Sequence, residues 1–562
     1  MKHIQSSFAS LFAVGAVALG AASAPAQPTP TNPAPESVQQ RDARMAWWRD
    51  ARFGLFIHWN PSSLKGTEIS ISRSPNPYGP NPGGIPAAEY DVLYKQFNPT
   101  KFDAKAVVAL AKVAGMKYVV FTTKHHDGFS MFDSQLTDYK ITSPESPYGK
   151  DITRQLADAC HEAGLHWCVY YSQPDLHHPD YDRDHARYNQ YFHAQVHELQ
   201  TKYGPVDSVW FDGLGGSAEY WDADNLFRQM KADNPNVIIN NRSGLPGDYY
   251  TPEQSIGTYD DQRYWETCMT IGDQWAYKPN DRYKSSAQCI QTLARCNGGD
   301  GNFLLNIGLR PDGTIDPTQA DRLQNMAAWM KVNSESIYGT RGGPFKPGTR
   351  YVSTRKGNTV YVHVLQWDGE QVTLPALPKR IVKSWVLGGG EAKIKQSGSG
   401  LTISVPTASQ KGADTVVALQ LNGSAMDIAP ISAATLKVLA TASVVYENSL
   451  TYDGAKAFDG DAGTRWATPD GTKEASLQAE LFVPTTIKGV TINEAFAGRV
   501  RKFQLQYQAP DSTEWQTLVE GTGVGANYSA QFKAVKVQVV RLNILDATQG
   551  PTINEIEFDI VR

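Results

Sequence analysis

Cysteine is scarce and unevenly placed. Cys160, Cys168, Cys268, Cys289 and Cys296 are the whole set, and none follows Cys296. An odd number leaves at least one thiol unpaired, which excludes a disulfide scaffold. Their spacings fit no zinc pattern. Cys160 and Cys168 fall in a helix-like and a strand-like run, where a small buried hydrophobe is the expected role. A strong charge of either sign is also missing: 53 Lys and Arg face 57 Asp and Glu, a net charge of -4, so no nucleic-acid partner is expected. Beyond the N-terminus no run approaches the ~20 apolar residues of a membrane span. The first strand candidate, Phe53 to Ile57, is followed by no Gly-rich phosphate loop, and no His-Glu-x-x-His pair marks a zinc helix.

What is present begins with Lys2 and His3, an apolar run from Phe8 to Ala22, and Ala22-Ser23-Ala24-Pro25-Ala26. Such a short run before small residues reads as a secretory signal peptide over 1–26, which implies export to the periplasm or the extracellular space. Residues 27–40, rich in Pro, Ala and Thr at their start, read as a flexible leader. The 562 residues are too many for one core and predict about three domains. Aromatic content is 10%, with 13 Trp and 26 Tyr, and such flat faces suit the C–H faces of sugar rings.

From Arg52 onward, strand-like runs alternate with helical patterns, the sign of parallel β/α units. A helical pattern from Ala104 to Ala114, Gly115 and the run Tyr118-Val119-Val120-Phe121-Thr122 are repeated as Ile152 to Ala163, Gly164 and Trp167-Cys168-Val169-Tyr170-Tyr171. Further strands are expected at Ser208 to Phe211 and Val237 to Asn240. The groups just past the strands are polar: His58, His125-His126-Asp127, Tyr171, Asp212 and Arg242. In a parallel barrel every C-terminal strand end opens on one face, so these scattered residues converge. The expected fold is therefore α/β, a (β/α)8-type catalytic barrel over 41–340 followed by two β-sandwich domains. The first sandwich is assigned to 341–422, a linker to 423–435, and the second sandwich to 436–562.

Val209-Trp210-Phe211-Asp212-Gly213 sets a carboxylate directly after a rigid apolar strand, the setting a nucleophile or base needs. Glycoside hydrolysis requires a second carboxyl group to protonate the leaving oxygen. Glu253, Glu266 and Glu68 all compete for that role. The aromatic wall of Trp265 favours Glu266, since an apolar neighbour raises a carboxyl pKa. His58, His125 and His126 are candidate hydroxyl ligands. A metal-dependent hydrolase using His125, His126 and Asp212 is the second enzyme reading, and a catalytically dead glycan-binding protein the third.

Taken together these pieces resemble the α-L-fucosidases of glycoside hydrolase family 29. The carriers are Phe53 to Trp59, Lys117 to Phe129, Tyr170-Tyr171-Ser172, Trp210 to Gly213, Trp265-Glu266-Thr267-Cys268-Met269-Thr270-Ile271 and Gly301 to Gly308. The resemblance implies a retaining exo-fucosidase acting through a covalent fucosyl-enzyme, with Asp212 as nucleophile and Glu266 as acid/base. It further implies fucose-binding roles for His58, Glu68, His125, His126, Tyr171, Trp210 and Arg242, and no cofactor for catalysis. The implied partner is a fucosylated oligosaccharide or glycoprotein glycan. The C-terminal region resembles a discoidin-type, family 32-like carbohydrate-binding domain through Ala457-Phe458-Asp459-Gly460-Asp461, Thr464-Arg465-Trp466, Val500 to Tyr507 with Trp515, Arg541-Leu542 and Ile553 to Glu557. That resemblance nominates Asp459, Asp461, Thr464 and Glu555 for a structural Ca²⁺.

Overall fold

A computed structural model describes residues 36–75, 84–213, 215–257, 259–367, 369–398, 400–432, 438–461 and 463–560. The expected signal peptide and most of the leader lie outside the described residues. The last leader residues are helical, because helix α1 (Val38–Ala51) already begins at Val38.

Seven strands form one wholly parallel sheet: β1 (Phe53–His58), β2 (Tyr118–Lys124), β3 (His166–Tyr171), β4 (Ser208–Phe211), β5 (Ile238–Ile239), β6 (Glu266–Thr270) and β7 (Asn302–Gly308). Their spatial order is β5-β4-β3-β2-β1-β7-β6. The chain between β5 and β6 bridges the two edges: Tyr249 pairs with Asn240, Tyr250 with Trp265 and Glu253 with Cys268, each in parallel. Segment 249–253 thus takes the place of an eighth strand. It stays irregular because Pro252 has no N–H to give to the ladder, although its carbonyl still accepts from Cys268 N at 3.1 Å.

The outer layer comprises α2 (Ala104–Val113), α3 (Ile152–Ala163), α4 (His185–Lys202), α5 (Ala223–Asp233), α6 (Ser286–Gly298) and α7 (Pro317–Asn333). Local chemistry sets their ends. Asp103 and Asp151 cap α2 and α3 by accepting from Ala106 N at 3.0 Å and Arg154 N at 2.8 Å. Gly164 ends α3 at φ +70°, a conformation in which a side chain would be strained.

Strand alternation divides the side chains into two cores. Phe56, Val120, Cys168, Tyr170, Trp210, Cys268 and Leu304 point into the barrel. Ile57, Val119, Phe121, Val169, Tyr171, Val209 and Phe211 point out against the helices. All five cysteines are buried and free, consistent with packing roles. Among the described residues no helix is long and apolar enough to cross a membrane.

The first sandwich has a five-stranded sheet in the order Arg341–Gly342, Tyr351–Lys356, Thr359–Val364, Thr415–Leu421, Ile381–Val386, and a three-stranded sheet of Gln371–Leu374, Gly400–Ser404 and Lys393–Ser397. The linker expected at 423–435 is corrected over 423–432, and its last three residues lie outside the described residues. Ala425 and Ile428 are buried in the sandwich core, and Ile431 exchanges backbone hydrogen bonds with Pro344 and Lys346. Small and apolar residues that read as a spacer therefore complete this domain. In the C-terminal sandwich the long strands Ala475–Glu494 and Tyr528–Ala547 pair around buried Trp466, which is core.

The chain from Arg44 to Arg562 forms one compact unit. A polar strip joins its two sandwiches: Lys346 Nζ lies 3.3 Å from Asp461, Thr349 N donates to Glu557 at 3.0 Å, and Gln366 Nε2 donates to Ser529 Oγ at 3.0 Å. Arg350 adds contacts to Thr491 at 2.9 Å and Asp559 at 3.2 Å.

Candidate active site

A cavity of about 180 Å³ opens at the C-terminal ends of the barrel strands. Its walls contain His58, Glu68, His125, His126, Trp210, Asp212, Arg242 and the acid/base candidate Glu253, so eight positions named from sequence do converge. Phe56, Ile69, Ile71, Tyr170 and Trp275 complete the lining.

Asp212 follows β4 and stays in phase with inward-facing Ser208 and Trp210. Its Oδ1 accepts from Arg242 Nη1 at 3.0 Å and its Oδ2 from the Tyr170 hydroxyl at 2.9 Å. Burial alone would raise its pKa, but the Arg242 charge, helped by the Tyr170 hydroxyl, outweighs burial and holds it below the ordinary aspartate value. Asp212 is thus an ionised, aimed carboxylate. Gly213 is needed for the backbone rather than for a ligand: a Cβ there would meet the Arg242 carbonyl at 2.4 Å, and Gly213 N donates to that same carbonyl at 3.1 Å.

Arg242 binds a second carboxylate, Glu253, through Nη2 at 2.8 Å. Its Nε is fixed by Thr251 Oγ1 at 2.8 Å, and its guanidinium lies 4.6 Å from the Trp210 ring centre. One cation therefore spans two carboxylates on the cavity wall. The Glu253 side chain is 41% exposed against 12% for Asp212, so the pair has one sheltered and one solvent-reachable member.

The three imidazoles are buried, and burial lowers each pKa: His58 to about 3, His126 to about 4, and His125 well below its usual value. All three are neutral near pH 7. Asn306 Nδ2 donates to the Trp275 carbonyl at 2.8 Å, which turns its Oδ1 towards His58 Nδ1 at 2.7 Å. His58 Nε2 is left as an acceptor. The Ser172 hydroxyl donates to Pro174 O at 2.6 Å, so His126 Nδ1 must supply the hydrogen across the 2.6 Å contact to Ser172 Oγ. His126 Nε2 then faces Asp212 Oδ2 at 3.5 Å as one acceptor opposite another. A sugar hydroxyl placed beside them finds two acceptors for its single hydrogen. His125, His126 and Asp212 also bring three potential metal-binding atoms within 4.8 Å. The full charge of Arg242 on the same Asp212 opposes a second cation there, which favours the hydroxyl ligand.

Two expectations are corrected. Tyr171 faces away from the cavity: it stacks on Phe192 at 5.4 Å and donates to Gln195 at 2.7 Å, because successive strand residues face opposite sides. Tyr170 holds the inward position. Glu266 also lies outside the cavity wall. It is the first residue of β6, next to Tyr250 on the ladder, while Glu253 pairs with Cys268 two residues nearer the open end. Tyr118 O–H donates to Glu266 Oε2, and Trp210 Nε1 donates to Oε1 at 3.2 Å. Burial raises the Glu266 pKa to about 7 against these donors. The desolvation anticipated for it is real, but it occurs at the barrel's base.

Glu68 lines the cavity, yet its oxygens accept from Trp275 N at 2.8 Å and from Ala276 N and Ile69 N at 3.0 Å. It anchors the loop that brings Trp275 to 4.8 Å from the His58 ring. Sequence reasoning missed Asn306 and the wall role of Trp275. The available signal for Asn306 was a lone amide in the apolar run Phe303-Leu304-Leu305-Asn306-Ile307.

In the C-terminal domain Glu555 is fully buried, and among the described residues neither carboxylate oxygen has a hydrogen-bond partner of good geometry, although the nearby Gly460 amide favours its charged form. Burial, with Glu557, Asp459 and Asp461 nearby, raises its pKa well above the ordinary value. Asp459 is also raised, chiefly by burial, and the Thr464 hydroxyl sits 2.9 Å from both its oxygens. Hard oxygen groups with an uncompensated charge fit Ca²⁺.

A parallel barrel with an ionised strand-end carboxylate, a partner carboxylate and neutral imidazoles around a ring-sized cavity defines a glycoside hydrolase. The α-L-fucosidase family model matches residues 18–335, and the F5/8 type C domain model matches residues 440–558. The chain belongs to the α-L-fucosidase family and carries an F5/8 type C domain at its C-terminus. An α-L-fucosidase of Branchiostoma floridae is 30% identical over 419 residues, 66% of this chain and 91% of that one. Isoenzyme 1 of Paenibacillus thiaminolyticus α-L-fucosidase superposes with a TM-score of 0.62 at 34% identity, covering 68% of this chain and 99% of that one. A Bacteroides thetaiotaomicron α-L-fucosidase, solved as a trapped covalent intermediate, gives 0.61 at 28% identity and covers 68% of this chain and 97% of that one.

Proposed function

We propose that this chain is a retaining exo-α-L-fucosidase that releases terminal L-fucose from fucosylated oligosaccharides or glycoprotein glycans. The observation that carries the reading is the Arg242 guanidinium spanning Asp212 and Glu253 in one cavity. Asp212, ionised and aimed by Tyr170 and Arg242, attacks the anomeric carbon. Glu253 takes the acid/base role in place of Glu266: it protonates the departing oxygen, then removes a proton from the water that opens the fucosyl-enzyme. His58, His125 and His126 receive sugar hydroxyls, and Trp210 and Trp275 supply apolar wall. A cavity of about 180 Å³ has room for a single sugar ring, which supports removal of terminal residues. No cofactor takes part in this chemistry. Export to the periplasm or outside the cell remains part of the proposal through residues 1–26.

Asp459, Asp461, Thr464 and Glu555 would hold a structural Ca²⁺, which supplies charge balance to the C-terminal domain and takes no part in the reaction.

The decisive experiment replaces Asp212 by Gly. Turnover of aryl α-L-fucosides should fall by on the order of 10⁴-fold or more while the fold persists. Azide should restore fucose release as β-fucosyl azide, because it attacks the vacated face. Ordinary activity in that variant would sink the mechanism.

A further inference from the structure

Glu266 is 1% exposed at the base of the barrel, and no charged partner reaches it. Its hydrogen-bond donors are aromatic: the Tyr118 hydroxyl, the Trp210 indole at 3.2 Å, and a smaller contribution from Trp48. A buried carboxylate costs stability unless it is paired or fully hydrogen-bonded, so one kept among aromatic rings calls for a purpose.

The purpose follows from what Trp210 touches. One edge of its indole is tied down to Glu266. Its ring stacks on Tyr170 at 5.6 Å and carries the Arg242 guanidinium at 4.6 Å. Tyr170 and Arg242 are the two groups that hydrogen-bond Asp212, and Arg242 also pairs with Glu253. A carboxyl oxygen accepting from the indole N–H fixes the ring's rotation, and with it the face on which the guanidinium rests.

We propose that Glu266 is a positioning residue: its carboxylate locks Trp210, and through Trp210 sets the place of the Arg242 guanidinium between Asp212 and Glu253. The role rests on the reading of Asp212 and Glu253 as the reacting pair. Misplacement by about 1 Å of such a pair is enough to lower turnover on the order of 10²-fold.

The test uses the full chain with Glu266→Leu, which has no acceptor for the indole N–H, Trp210→Phe and the double variant. Competent sites are counted by trapping with 2-fluoro-fucosyl fluoride, and kcat per trapped site is measured over aryl fucosides of rising leaving-group pKa. Glu266→Leu should lose on the order of ten- to 10²-fold in kcat per site, equally for every leaving group. Trp210→Phe, which keeps a ring but lacks the N–H, should match it. The double variant should be no worse than the poorer single one, since both cut the same link. A lower Tm with unchanged kcat per site would make Glu266 merely structural and overturn the proposal. A loss that grows with leaving-group pKa would make it the acid, and multiplying losses would break the link to Trp210. If Glu266→Leu fails to fold, Trp210→Phe with wild-type kcat per site would also overturn it. Absence of wild-type turnover on every donor would instead remove the reading of the site beneath it.

Discussion

The catalytic cavity and the acidic turn of the C-terminal domain both bury carboxylates, and they balance the charge in opposite ways. In the cavity the compensation is built in: Arg242 holds Asp212 and Glu253, and Asp212 stays below its ordinary pKa. In the turn no donor among the described residues closes a hydrogen bond on Glu555, and the lysines nearby reach Asp461 at 3.3 Å and Asp459 at 3.6 Å, not Glu555. The first arrangement is finished and preorganised for chemistry. The second would be completed by the Ca²⁺ proposed for it. Burial is similar in both places, so the partners decide whether a carboxylate is a tool or a socket.

The largest expected effect separates the two carboxylates of the cavity. Glu253→Ala should lower turnover of poor leaving groups by on the order of 10² to 10⁴-fold, spare donors that depart unprotonated, and flatten the basic limb of the pH profile. Equal losses for all leaving groups would break the acid assignment.

The next effect sharpens the contrast at the turn. A chelator should destabilise the C-terminal domain by about 4 kcal/mol relative to calcium at a thousandfold excess over Kd, with turnover of small fucosides unchanged. Calorimetry on wild type and Glu555→Gln checks this. The variant should ignore calcium and, without it, exceed the wild type in stability at neutral pH.

A third effect is read in stability against pH. The Glu266 pKa is raised to about 7, so the native state binds the extra proton between the unfolded value and 7. Its contribution is full at low pH and is lost as pH rises through that window. Glu266→Gln should remove about 3 kcal/mol of this fall between pH 5 and 8, measured by urea unfolding. An unchanged slope would contradict a titrating Glu266. Smallest of all is removal of the C-terminal domain after Ser432, which should leave kcat on a small aryl fucoside within about twofold, since none of its residues lines the cavity. A larger loss would show that docking shapes the barrel.

Much of this was legible because strand alternation and strand ends are visible in a sequence. His58, Trp210 and Asp212 sit at inward, strand-end positions that the apolar runs mark plainly. Tyr170 and Tyr171 differ by one residue, and only register decides which enters the cavity. Glu253 was harder to select, since it rides on a strand position made irregular by Pro252, while Glu266 stands in a well-formed strand beside Trp265. Desolvation could be read from that neighbour, but depth along the barrel could not. The segment after Asn422 misled for a related reason: its small residues resemble a spacer until Arg355 is seen bonding to the carbonyls of Ala425 and Ile428.

The polar strip between the two sandwiches bears on how a glycan would be engaged. Were the last domain tethered by a flexible spacer, its benefit to the cavity would follow effective concentration and fall smoothly with spacer length. Lys346, Thr349, Arg350 and Gln366 instead fasten it at a fixed offset from the barrel. Any sugar held on that domain then lies at a set distance from the cavity mouth.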